Sequence, residues 1–404
     1  MSRKIVLAYS GGLDTSVLLK WLQQKYESDV ITVTLDVGQK EDLEAIERKA
    51  ESLGVLKHYS IDAKEEFVDS YVFPAVRANA LYEEKYPVST ALSRPLIAEK
   101  LVEVAEKEGA DAVAHGCTGK GNDQVRMEVA VKALAPSLAV IAPVREWNMT
   151  RDAEIEFAKV NGIPVPVDAD KPYSVDQNLW GRSIECGVLE YPDREPPEDV
   201  FEWTVSPEKA PDKPEYVTLS FGGGVPMAVN GMEANCVALI ETVNEVAGRH
   251  GIGRIDHVED RLVGIKSREV YECPAAAVII EAHKDLEKLV LTRHELFFKQ
   301  QVDALWAYLA YTGLWMDPLR EDLDAFIGKT QERVSGEVKV KLYKGSCQVA
   351  SRSSPLSLYD KDLATYNIET TFNQSSSAGF IELWGLPTRV ANALRKKVAA
   401  KQDV

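Results

Sequence analysis

A short apolar run, Ile5-Val6-Leu7-Ala8, leads within two residues into Ser10-Gly11-Gly12-Leu13-Asp14-Thr15-Ser16, and a helical pattern follows over residues 15–23. A continuously apolar strand this short is covered on both faces, as in a parallel sheet flanked by helices. The two glycines permit positive φ and a close backbone approach. The helix that starts there presents unpaired N–H groups and the positive end of its dipole, a seat for an anion. Ser10, Thr15 and Ser16 add hydroxyl donors, so this strand–loop–helix junction is predicted to cradle phosphate. The string is neither the G-x-x-x-x-G-K-[ST] of a Walker A loop nor the G-x-G-x-x-G of a dinucleotide fold.

The alternation of strand and helix continues. Residues 30–35 form a β-branched strand, and 41–53 a helix with Leu43, Ile46, Ala50 and Leu53 on one stripe and Gly54 as its stop. A weaker strand is predicted at 58–61. A helix at 95–108 has Pro95 in its first turn and Gly109 beyond its end. Strands at 112–114 and 138–142 enclose a helix at 122–134, and Thr150 is predicted to cap a helix ending near Gly162. The expectation is an α/β domain over residues 1–165 with a parallel sheet. Six of the 19 prolines then lie between Pro192 and Pro214, a connecting loop. Beyond it come a hairpin (216–221 and 225–229, joined through Gly222-Gly223-Gly224), a long helical stretch from about 275 to 311, and a strand pair at 337–350. A strand at 380–384 and a closing helix at 386–400 follow. Residues 166–404 are thus expected to form an α+β domain with a C-terminal helical arm from about 386.

A second string, His115-Gly116-Cys117-Thr118-Gly119-Lys120-Gly121-Asn122-Asp123-Gln124-Val125-Arg126, also joins a strand end to a helix start. Ligands of open α/β sheets bind at the carboxyl ends of strands, so both loops are predicted to face one crevice. Asp123 suits an ammonium, and Arg126, one turn on, suits a carboxylate held bidentately. No base is evident beside Cys117, which argues against a nucleophilic thiol. A third string, residues 80–95, reads by itself as a polar loop before a helix.

Net charge is −16, which disfavours broad binding to a polyphosphate backbone. No apolar run nears the roughly 20 residues of a membrane span, and the run at 5–8 is too short for a signal peptide. The five cysteines are widely spaced with no C-x-x-C, and the six histidines do not cluster. No disulfide framework or zinc site is expected, and a reducing cytoplasm fits.

The first loop resembles the pyrophosphate-binding loop, S-G-G-x-D-S/T, of the N-type ATP pyrophosphatases. With the second and third strings the resemblance narrows to the argininosuccinate synthases. Further similar pieces are 38–42, 173–179, 244–248, 253–256, 266–268 and 354–359, so it spans nearly the whole chain. The resemblance implies an adenine nucleotide alpha-hydrolase-like domain followed by a synthetase and multimerisation domain. It implies ATP held by Ala8, Tyr9, Ser10, Gly11, Gly12, Leu13, Asp14, Thr15 and Ser16, with Leu35 and Gly116 near the nucleotide. It implies aspartate held by Thr118, Asn122, Asp123 and Arg94. Citrulline would be held by Tyr86, Thr90, Ala91, Asn122, Arg126, Ser174, Ser183, Glu259 and Tyr271. Some relatives carry Ser where this chain has Ala91, so a hydroxyl contact there is lost. Ser10, Asp14 and Asp123 are the residues implied to matter most for catalysis.

The implied chemistry is ligation of citrulline and aspartate through citrullyl-AMP, with Mg²⁺ accompanying ATP. Asp14 would ligate that ion directly or through water, and the sequence leaves both open. The resemblance also implies a homotetramer. Leu386, Val390, Leu394 and Val398 form one apolar stripe that suits an arm laid on a neighbouring subunit. Rival readings are an amidotransferase or tRNA-modifying relative and a non-enzymatic ATP-binding module. The first needs a glutaminase segment for which residues 1–9, already a strand, leave no room. The second needs a basic RNA-binding face, and the third needs no second domain rich in polar strings.

Overall fold

The computed structural model describes residues 3–147, 151–165, 173–367 and 369–402. Strands β1 (Lys4–Ala8), β2 (Asp29–Asp36), β3 (Lys57–Asp62), β4 (Ala112–Ala114) and β5 (Ala139–Ile141) form one parallel sheet in the order β3-β2-β1-β4-β5. The apolar run at β1 is continuous because its residues serve two cores. Val6 enters one cluster with the Ser89–Glu108 helix, while Ile5 and Leu7 enter another with the Leu13–Tyr26 helix. From β1 the chain builds outward to β2 and β3, then returns to the other side of β1 as β4. The strand order therefore reverses between β1 and β4, and a crevice opens at the carboxyl ends there. The loops after β1 and β4 flank it, as the sequence predicts.

The later strands are antiparallel. They are β6 (Ser174–Asn178), β7 (Gly181–Glu185), β8 (Glu215–Gly222), β9 (Val225–Val229), β10 (Met232–Glu233), β11 (Arg254–Asp260), β12 (Lys266–Glu272), β13 (Gly336–Tyr343) and β14 (Ser346–Ser353). They make two sheets, ordered β11-β12-β7-β6 and β10-β9-β8-β13-β14. The β6–β7 hairpin seats on the loop after β2: Leu179 N–H donates to the Val37 carbonyl (2.9 Å) and Gln177 Nε2 to the Gln39 carbonyl (2.7 Å). All these strands lie in one compact unit, Met1–Leu356; Ser357–Val404 is a second unit. The second unit contains the helices Lys361–Ala364, Ser376–Trp384 and Leu386–Gln402.

Three expectations are corrected. Pro95 does not open its helix: the helix runs Ser89–Glu108 with Pro95 inside. A proline inside a helix removes one N–H bond and crowds the carbonyl four residues before it, a cost offset here by packing on both sides, with Leu92 and Leu96 fully buried. The stretch at 275–311 is two helices, Pro274–Val290 and Arg293–Tyr311. Thr292 and Glu295 form a capping box that starts the second one. Residues 380–384 are helical, within Ser376–Trp384. A five-residue segment with four apolar side chains, broken only by Glu382, reads equally as strand or helix until a pairing edge is supplied. The Thr150 cap lies outside the described residues. The β6–β7 and β11–β12 hairpins were not foreseen, and they complete the site.

Candidate active site

The loop after β1 is fastened from beneath. Tyr9 is buried, with its hydroxyl 3.0 Å from Ser16 Oγ; Ser16 Oγ donates to the Gly12 carbonyl (2.7 Å) and Thr34 Oγ1 to the Tyr9 carbonyl (2.5 Å). Ser10, Gly12 and Asp14 are exposed, and Ser10 Oγ lies 3.2 Å from Thr15 Oγ1. Gly11 holds φ +75°, and a Cβ there would come 2.8 Å from Ile46 Cγ1, so this backbone needs glycine. No side chain caps the Leu13–Tyr26 helix, whose positive dipole end meets the loop. A cleft of about 400 Å³ opens here, lined by Ser10, Gly11, Gly12, Glu41, Asp42, Ala45 and Ile46. Glu41 and Asp42 stand on this rim and Asp14 is exposed at the helix start, hard oxygen donors of the kind Mg²⁺ prefers, but among the described residues no three acidic, His or Cys side chains gather to hold a metal ion by themselves.

The loop after β4 joins this cleft to a buried polar cluster. A Cβ on Gly116 would lie 2.8 Å from Leu18 Cδ1 and 3.8 Å from Thr15 Cγ2, so the loop after β4 packs closely against the first turns of the Leu13–Tyr26 helix. Further along, Arg94 Nη2 sits 2.8 Å from Asp123 Oδ2 and also pairs with Asp176. Arg126 Nη1 donates to Asp123 Oδ1 at 2.8 Å. Burial works to raise the Asp123 carboxyl, but the Arg94 and Arg126 guanidiniums outweigh it and hold the carboxyl well below the usual carboxylate range. Burial raises Asp176, against the pull of Arg94.

Thr90 and Arg94 are one turn apart on the same helix, which is why both reach this cluster. Thr90 Oγ1 lies 2.9 Å from the Tyr86 hydroxyl and 2.8 Å from Ser183 Oγ on β7. The Tyr86 ring stacks on Tyr271 with centroids 4.1 Å apart. Tyr271 donates to Glu259 Oε2 (2.7 Å), and Tyr311 to Glu259 Oε1 (2.5 Å). Glu259 is 3% exposed, and among the described residues no basic side chain forms an ion pair with it. Burial raises its carboxyl, and the two phenol donors oppose the rise. A buried carboxylate held by two neutral donors is complementary to an ammonium brought by a ligand.

Two family models divide the chain between them: the Arginosuccinate synthase N-terminal HUP domain matches residues 4–164, and the Arginosuccinate synthase C-terminal domain matches residues 173–391. The chain belongs to the argininosuccinate synthase family. Argininosuccinate synthase of Pyrococcus furiosus is 61% identical over 96% of this chain and 94% of its own length. Those of Streptococcus suis and Halalkalibacterium halodurans are 58% and 57% identical, over 98% and 99% of this chain and 99% and 98% of their own.

The fold so placed brings together most residues that the synthase resemblance assigned to aspartate and citrulline. Tyr86, Thr90, Arg94, Asn122, Asp123, Arg126, Ser183, Glu259 and Tyr271 share one network of hydrogen bonds, ion pairs and stacked rings. Ala91 is buried and offers its N–H to the Tyr86 hydroxyl (3.3 Å). Thr118 stands exposed on its loop. Ser174 lies exposed at the start of β6, two residues from Asp176. The Leu35 carbonyl accepts from Gln39 Nε2 (2.6 Å). Burial pushes the Cys117 thiol up to about 12, in line with the sequence argument against a nucleophile there.

Sequence reasoning did not single out Asp176, Tyr82 or Tyr311 as site residues. The alternation of Ser174 and Asp176 along one strand face was a usable signal for the first. Nothing local marks Tyr311, which ends a helix 189 residues after its partner Asn122.

Proposed function

We propose that this enzyme ligates L-citrulline and L-aspartate to argininosuccinate in arginine biosynthesis, cleaving ATP to AMP and pyrophosphate. The observation that carries this reading is the connection, through one loop, of an anion-binding helix start to a buried carboxylate, Glu259, that no ion pair holds among the described residues. ATP phosphates would sit on residues 8–16, with the adenosine near Leu35 and Gly116. Mg²⁺ would come with ATP and neutralise phosphate charge, with Asp14 reaching it directly or through water. The citrulline ammonium would meet Glu259, while Tyr86, Thr90, Ala91, Asn122, Arg126, Ser174, Ser183 and Tyr271 surround the rest. Thr118, Asn122, Asp123 and Arg94 would hold aspartate.

The reaction proceeds in two displacements. The citrulline ureido oxygen attacks the α-phosphorus and expels pyrophosphate. The aspartate amine then attacks the activated carbon and expels AMP. No protein nucleophile is required; the chain supplies position and fixed dipoles for the developing charge. Heavy oxygen placed in the citrulline ureido group is expected in AMP, with pyrophosphate release dependent on citrulline. Label in pyrophosphate or water, or release that ignores citrulline, would overturn the reading.

The proposed assembly is a homotetramer in the cytoplasm, built without nucleic acid or membrane. The five cysteines are free, and among the described residues no helix is long and apolar enough to cross a membrane. On the Leu386–Gln402 helix Leu386, Val390, Leu394 and Val398 are all exposed, four aliphatic side chains worth about 1.5–3 kcal/mol each if buried on a neighbour. Truncation after Gly385 is expected to shift sedimentation to smaller species. A truncated protein that remains tetrameric and equally stable would count against the arm.

A further inference from the structure

We infer that Tyr311 is a positioning residue for citrulline: its hydroxyl locks the Asn122 amide and the Glu259 carboxylate into one fixed arrangement and so sets citrulline affinity. The inference rests on the citrulline reading of the Glu259 cluster. Tyr311 is the last residue of the Arg293–Tyr311 helix. Its hydroxyl accepts from Asn122 Nδ2 (2.8 Å) and donates to Glu259 Oε1 (2.5 Å). The direction of this relay is forced. Leu262 N–H donates to Asn122 Oδ1 (2.8 Å), so the nitrogen of the amide must face Tyr311. That nitrogen can only donate, which commits the single phenol proton to the carboxylate. A backbone N–H thus anchors a chain of three hydrogen bonds that ends on Glu259.

The ring itself has nowhere to turn. Tyr82 stacks on it, with centroids 3.5 Å apart and planes 4° from parallel, and the Arg126 guanidinium carbon lies 4.7 Å from the ring centroid. Arg126 Nε also donates to the Tyr311 carbonyl (2.8 Å). Just beyond, Gly313 holds φ +77°, where a Cβ would come 2.9 Å from Arg126 Cα, so the chain leaving the helix runs directly against the helix that carries Arg126. One side chain therefore couples Asn122, Arg126 and Glu259 from an element far along the chain. Tyr271 serves the second oxygen of Glu259, so each carboxylate oxygen receives one phenol proton and keeps a further lone pair for another donor.

The test is Tyr311→Phe in the full-length enzyme, with each substrate varied in turn. The citrulline KM is expected to rise about 10- to 100-fold, the loss of two hydrogen bonds around a buried charge, while the KM for ATP stays within about twofold and that for aspartate, which shares only Asn122, rises several-fold less than that for citrulline. The acid limb of kcat/KM for citrulline is expected to move to higher pH, because a donor that favours the charged Glu259 is gone. The other groups around Glu259 are unchanged in the variant: Arg126 and Tyr271 favour its charge, and Glu83 opposes it. A citrulline KM within twofold of the parent, or equal rises for all three substrates, overturns the inference. If Tyr311→Phe does not fold, Tyr82→Leu, which removes the stacked ring, is expected to raise the citrulline KM selectively by about threefold or more, and an unchanged value there overturns it. A parent enzyme that releases no pyrophosphate with citrulline would instead overturn the functional reading itself.

Discussion

Replacing Asp123 by Asn is expected to lower kcat/KM for aspartate by about two to three orders of magnitude while ATP affinity stays within about threefold. Asn preserves the shape of the side chain but removes the charge that two buried guanidiniums share. Truncating one partner of a desolvated, hydrogen-bonded charge pair costs about 2–5 kcal/mol, and the lower half of that range already corresponds to a hundredfold. The loop after β1 is untouched, which is why nucleotide binding survives. Steady-state kinetics with each substrate varied decides the matter, and a loss smaller than about tenfold would contradict the assignment.

The same substitution carries a pH signature. The folded-state carboxyl of Asp123 is depressed, so its contribution to stability is present above the ordinary value of about 4 and fades as pH falls toward the folded one. The Asn variant should therefore show a flatter dependence of stability on pH below about 4.

Glu272→Ala is expected to destabilise the fold by about 3–5 kcal/mol without touching the site. Glu272 is fully buried and follows Tyr271 on β12, so its side chain points to the opposite face. It accepts from Arg182 Nη1 (2.9 Å), from the backbone N–H groups of Glu202, Trp203 and Thr204 (3.0, 2.9 and 2.8 Å), and from Thr204 Oγ1 (2.7 Å). Alanine leaves a guanidinium and three backbone donors without this partner in a dry interior. Against a typical total of about 5–15 kcal/mol, the loss should show as a lower urea midpoint at unchanged slope. A shift under about 1 kcal/mol would mean water replaces the carboxylate freely.

Much of the candidate site was legible from local strings, for a physical reason. A phosphate-binding loop has to place glycines, hydroxyls and a helix start within a few consecutive residues, and the strand–loop–helix junction read from Ser10 to Ser16 is the one the fold forms. The run from Gly116 to Arg126 is readable in the same way. Glu259 and Tyr271 were different. Taken alone they look like residues of a solvated helix or strand face, and only resemblance raised them; each meets its partners across elements, Glu259 with Tyr271 and Tyr311 and Tyr271 with Tyr86.

The errors have a common origin as well. Pro95 and the run at 380–384 were read from propensity, which loses to packing in the first case and lacks a pairing edge in the second. The break between the Pro274–Val290 and Arg293–Tyr311 helices was a capping box visible in the sequence and overlooked.

What the sequence by itself determined is the parallel-sheet half, its strand alternation, the two loops at the switch point and the family to which they belong. Those features are local, repeated at short period and encoded by residues within a few positions of one another. What only the tertiary structure decided is how the antiparallel hairpins and the Arg293–Tyr311 helix close over the loop after β4. Asp176 meets Arg94 from β6, Ser183 meets Thr90 from β7, and Tyr311 meets Asn122 and Glu259 from the end of a distant helix. Such contacts follow from strand register and helix packing summed over the whole core. A buried carboxylate is given its partners by that sum, and no short window of residues contains it.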